Sequence, residues 1–263
     1  MNQPSNNLTT YDLYLRALQT TDSWEKKDYL EALDWLSQAT KQDANYGPAL
    51  ALSALYHTAL SGSGWADDPG ATRQTAISLA RRAVRNAGDD AATLGRAAYV
   101  LAYFGEDIDA ATALIDRSLL INPSFADGWR WSGWLRLWGG LPDVAIDHFE
   151  RSSRLNPRAP LGGTLMATGV AHFFARRLEQ ARTILSLSLQ QHPNWVPTNR
   201  FLAACYGHLG QLDEAKITIQ RLRRLTPEVL PNADNWRDPE QREFFLSGLR
   251  LAMSATDEAA SRS

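Results

Sequence analysis

DVAIDHFERSSRLNP, from Asp143 to Pro157, carries the pattern that decides the fold. Its apolar residues Val144, Ala145, Ile146, Phe149 and Leu155 recur at helical spacing and form one stripe of an amphipathic helix, which Pro157 ends. The pattern repeats along the chain. Pro123, Pro157, Pro193 and Pro227 are separated by 34, 36 and 34 residues, and twelve residues before each stands Ala111, Ala145, Ala181 or Ala215. Gly105, Gly140 and Gly210 precede three of these alanines by five or six residues, while Arg176 holds the corresponding place in the other unit. Ahead of each turn lies another apolar helix, such as TNRFLAACYGHLG with Phe201, Leu202, Cys205, Tyr206 and Leu209. The repeating unit is therefore helix, short glycine turn, helix, proline turn. An all-α stack of helical pairs is expected.

The unit resembles the tetratricopeptide repeat, a helical hairpin, most clearly in DGWRWSGWLRLWGGLPDVAIDHFERSSRLNP (127–157) and VPTNRFLAACYGHLGQLDEAKITIQRLRRLTP (196–227). The family's small residue in the first helix matches Ala98, Gly133, Gly169 and Ala203, and its small residue early in the second helix matches the four alanines above. Helices packed about 8–10 Å apart need a side chain near methyl size where they cross. Two looser copies lie upstream, one with Ala17 and Ala32 and the other with Ala54 and Ala76 at the small places; SGSGWADDPG (61–70) is inserted in the second and is expected to be the most mobile internal loop or an added contact site. The resemblance implies a right-handed superhelical solenoid of about six hairpins over 8–228. A linker and C-terminal capping helix follow over 229–253, with Asp238 as N-cap and Pro239 at the first helical position. The ends, 1–7 and 254–263, are expected to be disordered.

A narrower resemblance rests on YDLYLRAL (11–18), GWADDP (64–69) and RDPEQREFFLSGLRLA (237–252). These phrases are similar to the repeat region that follows the catalytic domain of bacterial class III adenylate cyclases, or the winged-helix domain of certain transcriptional regulators. It implies a signalling role beside such a domain. Neither domain fits in the seven residues before the first repeat helix, so an excised region or a free-standing relative is expected.

Composition narrows the function. Lys plus Arg is 27 against 29 for Asp plus Glu, so no cation excess is available to displace counterions from nucleic acid. The single cysteine, Cys205, excludes an internal disulfide or a thiolate metal cluster. The opening MNQPSNNLTT lacks the charged and apolar regions of a secretory signal, and the most apolar stretches are too short to span a bilayer. A cytoplasmic protein is expected. Motifs for phosphate loops, zinc hydrolases, nucleophile elbows and redox cysteine pairs are missing, so no enzyme, metal or cofactor is expected. The pairs Asp67–Asp68 and Asp89–Asp90 fall in turns and read as helix caps.

The distinctive constellation is aromatic. In this family the first helices line a concave groove, and the resemblance places Tyr99, Tyr103, Arg130, Trp134, Trp138, Met166, Phe173 and Arg200 on it. The Lys and Asn set with which some members clamp a terminal carboxylate is not matched. Trp131 reads as packing between hairpins. The function expected is non-catalytic binding of a peptide segment or partner domain in the groove; the alternative is a sensor for an apolar small molecule. The terminal helix, carrying Phe244, Phe245, Leu246, Leu249 and Leu251, is expected to cover the last hairpin through Ile217 and Leu222 and to leave most of the groove accessible.

Overall fold

The computed structural model describes residues 8–21, 25–158, 161–231 and 233–260. The stretch 1–7, expected to be disordered, lies outside them. Every regular element among the described residues is a helix: α1 (Leu8–Leu18), α2 (Lys26–Gln42), α3 (Gly47–Gly62), α4 (Pro69–Arg85), α5 (Ala91–Tyr103), α6 (Ile108–Ile121), α7 (Ala126–Trp138), α8 (Pro142–Leu155), α9 (Leu161–Phe174), α10 (Leu178–Gln191), α11 (Val196–Leu209), α12 (Leu212–Leu225) and α13 (Pro239–Ala260). α1 with α2, α3 with α4, α5 with α6, α9 with α10 and α11 with α12 pair as hairpins, the architecture of an α-solenoid. The backbone of α13 continues to Ala260, beyond the boundary expected at residue 253.

The punctuation works through backbone torsions. Pro123, Pro157, Pro193 and Pro227 each follow a C-cap residue, Asn122, Asn156, His192 and Thr226, whose φ lies between −150° and −134°. A proline disfavours the helical region for the residue before it, so the second helix of each hairpin stops there. Between the helices, Gly105, Gly140 and Gly210 adopt φ of 86°, 85° and 70°. Arg176 takes φ 61° at the equivalent turn, the one positive value for a non-glycine residue among those described.

The small places sit at helix crossings. Ala17, Ala32, Ala54, Ala76, Ala145, Ala181, Ala203 and Ala215 are wholly buried, and Ala111 nearly so. A Cβ on Gly169 would stand 2.7 Å from Leu185 Cγ, so α9 meets α10 at a distance that only hydrogen permits. Serines tie some second helices to the start of their own first helices: Ser118 Oγ donates to Ala91 O at 2.6 Å, and Ser188 Oγ to Gly162 O at 2.8 Å.

The chain forms two compact units, 1–135 and 136–263, with the boundary inside α7. The core of the first holds Tyr14, Tyr29, Leu36, Leu52 and Tyr56, with Trp65 packed against it. The 61–70 insertion holds anchors that its glycines and turn residues did not suggest. α3 runs to Gly62 and α4 starts at Pro69; Trp65 lies 6.1 Å from Tyr29, and Asp68 accepts from Ala71 N at 3.0 Å as the N-cap of α4. Arginines of this unit also bind turns of neighbouring hairpins: Arg73 Nη2 donates to Phe104 O, Arg82 Nη2 to Ala44 O and Arg117 Nη2 to Gly88 O, at 2.8 to 3.1 Å. These carbonyls lie at or just past the C-terminal ends of α5, α2 and α4, where a cation meets the negative end of the helix dipole.

Candidate functional site: the inner faces of the two units

In the first unit, Tyr99 and Tyr103 lie one turn apart on α5, both half-buried, with ring centroids 6.4 Å apart. Tyr99 also meets Trp131 of α7 at 6.3 Å. Trp131 is 3% exposed, wedged between Tyr99 and Phe125, whose ring stands 5.4 Å away edge-on. Burial pushes the Tyr99 phenol well above its ordinary range. Arg130 lies one turn beyond Asp127, and its Nη2 donates to Asp127 Oδ1 at 2.8 Å. Desolvation works against the Asp127 charge, yet the Arg130 guanidinium outweighs it and holds the carboxyl below the usual range. Trp134 is buried, against the expectation that it lines an accessible groove.

The second unit departs further from expectation. Trp138 and Phe173, both expected to be accessible, are 2% and 0% exposed. Phe173 is covered by the chain's own C-terminal end, whose backbone also meets that of Trp138. Arg237 N donates to Trp138 O at 3.1 Å. Trp236 stands 4.3 Å from Phe174, Phe244 stands 4.8 Å from Phe173, and Phe245 stacks on Phe201 at 4.2 Å with 18° between planes. Arg200, expected as a groove cation, donates from Nε to Val229 O at 3.3 Å and from Nη2 to Glu228 O at 2.5 Å, and so anchors the linker. Met166 is half-buried. The terminal helix therefore packs on α11 and α12 and also fills the aromatic face of α9 and α11. Leu222 is fully buried, whereas Ile217, expected beneath α13, is 61% exposed.

Two polar residues fasten this contact. His208 stacks on Phe244 with centroids 3.9 Å apart, and its Nε2 lies 2.7 Å from Phe244 O; a carbonyl only accepts, so Nε2 carries the proton. Burial lowers the His208 pKa, against the bond to the carbonyl, and nearby Arg176 lowers it further. The Arg176 guanidinium lies 3.3 Å from the Phe244 ring centre and 3.1 Å from Glu240 Oε1. Glu240 is 84% exposed, so the ion pair contributes little and the cation–ring contact is the stronger link. The sequence marked Arg176 only as a missing glycine.

Separating the two roles of Arg176 is straightforward. Arg176→Ala loses the clamp and keeps the left-handed turn, whereas Arg176→Gly loses the clamp and relaxes the turn. The Ala chain is expected to be less stable than the Gly chain by about 1 kcal/mol, the cost of a Cβ in that conformation. Urea unfolding of the two variants checks this; equal midpoints would remove the strain argument.

Asp68 and Asp90 cap α4 and α5, as the turn reading expected. No group of three or more His, Cys, Asp or Glu that could hold a metal occurs among the described residues. Cys205 is buried and its thiol is pushed up to about 12, so it stays protonated and packs as a small apolar group. No described helix is long and apolar enough to cross a membrane.

No protein-family model matches the sequence, and no curated protein matches it. Solved structures do resemble the fold. A structure described as the functional characterization of Pseudomonas aeruginosa pilF matches with a TM-score of 0.52 at 17% identity, over 83% of this chain and 92% of that one. A thermophilic TPR protein of Thermus thermophilus matches at 0.54 and 16% identity, over 74% of this chain and 98% of that one. A chain of the Cut9–Hcn1 hetero-tetramer of the APC/C matches at 0.60 and 16% identity, over 91% of this chain and 46% of that one. With the hairpin geometry, these likenesses show the fold to be a tetratricopeptide-repeat-like solenoid.

Proposed function

We propose that the protein is a non-catalytic scaffold that binds a peptide segment or partner domain on the inner face of its first unit. The observation that carries this reading is the half-buried Tyr99–Tyr103 pair of α5 beside Arg130 of α7. Aromatic and arginine side chains supply much of the binding energy at protein interfaces, because each brings a large contact area with a polar handle. In the second unit Phe173 and Arg200 are engaged by the chain's own C-terminal segment, which makes that face the poorer candidate. The likeness of 11–18, 64–69 and 237–252 to repeat regions beside cyclase and winged-helix domains supports a regulatory role next to such a domain.

A photo-reactive residue placed at Tyr103 is expected to cross-link one defined polypeptide in the cells that express the protein. Tyr99→Ala should abolish the product, and the same probe at exposed Arg223 of α12 should give none. Equal products from both positions would refute the inner-face reading. An apolar small molecule released from the native protein, with no cross-link at Tyr103, would establish the sensor alternative in its place.

A further inference from the structure

One ring of α13 is held between two groups that repel each other if both are charged. The His208 imidazole of α11 stacks on Phe244 with centroids 3.9 Å apart and 8° between planes, and the Arg176 guanidinium lies 3.3 Å from the same ring centre. Two groups this close to one centroid must take opposite faces, so Phe244 sits between an imidazole and a permanent cation. Nε2 already donates to Phe244 O at 2.7 Å, so a second proton enters at Nδ1 and makes the imidazole a cation. No carboxylate among the described residues bonds to it. The charged groups on the helices packed against α11 are engaged elsewhere. On α10, Arg182 pairs with Glu179 at 2.9 Å; on α13, Glu243 pairs with Arg250 at 2.7 Å, and Arg242 donates to Trp236 O at 2.9 Å. Glu240 of α13 pairs with Arg176 itself at 3.1 Å, from an exposed position. After α9, Arg177 pairs with Asp143, and these two act on His172 rather than on His208. Asp213, Glu214 and Lys216 of α12 exert no resolved effect on His208; Arg176 is the one charge that does.

We infer that His208 is a pH-sensitive latch for the terminal helix: its protonation sets a second cation against Arg176 across the Phe244 ring and loosens α13 from α9 and α11. A ring face attracts one cation, but a second on the other face meets the field of the first. A Cβ on Gly248 would stand 2.7 Å from His208 Cδ2, so α13 lies directly on the imidazole. The sign follows from where the proton binds better. Burial lowers the His208 pKa and Arg176 lowers it further, against the bond to the Phe244 carbonyl, which raises it. With α13 loosened, the imidazole reaches water and returns towards its ordinary value of about 6.5. The loosened state therefore binds more protons, so docking is full above about pH 6.5 and weakens as pH falls through the docked value. The apolar contacts remain, so α13 opens more often and is not shed. Each opening withdraws Phe244 from Phe173 and Phe245 from Phe201, and bares an aromatic face. Nothing in this device depends on the partner surface of the first unit.

The test follows amide hydrogen exchange over residues 240–252 of the full chain, from about pH 8 to about pH 5, on either side of the ordinary histidine value. Protection factors remove the intrinsic pH dependence of exchange. Protection over 240–252 is expected to fall severalfold as pH drops below about 6.5, while the amides of α5 keep theirs. His208→Gln retains an N–H for Phe244 O and cannot titrate, so its protection should stay flat. Arg176→Gly removes the facing cation, leaves the turn unstrained and should shrink the fall. An NMR titration of the parent should place the His208 pKa below that of an unfolded histidine, a result that decides even if His208→Gln fails to fold. The latch is refuted if protection in the parent is independent of pH, or if α5 loses protection equally. It is refuted too if His208→Gln shows the same fall, if Arg176→Gly leaves the fall undiminished, or if His208 titrates at or above its ordinary value.

Discussion

A chain ended after Pro231 is expected to aggregate, with loss of helicity well beyond the share of α13. The removed segment carries Trp236, Phe245 and Leu249 at 4%, 2% and 0% exposure. Burying a large apolar side chain contributes roughly 1.5–3 kcal/mol. Three of them supply about 5–9 kcal/mol, comparable to the whole stability of an ordinary domain. The loss is two-sided, because Phe173, Phe174 and Phe201 lose the rings that cover them. Arg200 also loses its carbonyl partners' downstream support, since Glu228 and Val229 then lie at a free end. Circular dichroism, light scattering and a hydrophobic dye check the outcome. A truncated chain that stays monomeric with an unchanged melting point would show the segment to be dispensable; one that stays folded and gains affinity for apolar peptides would show it to be a displaceable occupant of the groove.

The second large effect is expected at a single atom. Gly207 of α11 faces Gly248 of α13, and a Cβ on Gly207 would stand 2.3 Å from Gly248 O and 3.1 Å from Ala252 N. Both are backbone atoms, so no side chain can rotate to relieve the clash and α13 must shift bodily. Gly207→Ala gains about 1 kcal/mol of helix propensity. It meets an overpacking cost that reaches about 3 kcal/mol where the backbone cannot yield. The net is a loss of about 2 kcal/mol, several degrees in Tm for a chain of this size. Gly70→Ala in α4 is the control. Its Cβ would meet only Asp68 Oδ1 at 3.4 Å, ordinary contact, so the same change there should be neutral or stabilising. Equal effects at the two positions would refute the close-packing account.

How much of this was legible in the residues follows from how local each cause is. The hairpins were readable because helical periodicity, the torsional block before Pro123, Pro157, Pro193 and Pro227, and the positive φ at Gly105, Gly140 and Gly210 all act within a few residues. The small residues at the crossings were readable for a related reason, since a helix pair closes over one turn wherever it occurs. The occupancy of the inner face was not. Phe173 and Phe244 are far apart in sequence, and nothing local marks Trp138 as a residue that ends up buried. Periodicity tells which stripe of a helix is apolar but not which segment of the chain will cover it. The same holds for charge. Arg96 reads in the sequence as an ordinary arginine on a first helix, and Arg176 as a lapse in the glycine pattern. Only the tertiary structure shows that one is buried and bonded to a tyrosine hydroxyl, and that the other adopts a strained turn from which it grips Phe244. The sequence by itself determined the hairpins and where they end, because backbone torsion and helical period are local. The tertiary structure decided which aromatic and cationic groups are buried and with what they pair, because burial and pairing depend on residues brought together from far along the chain.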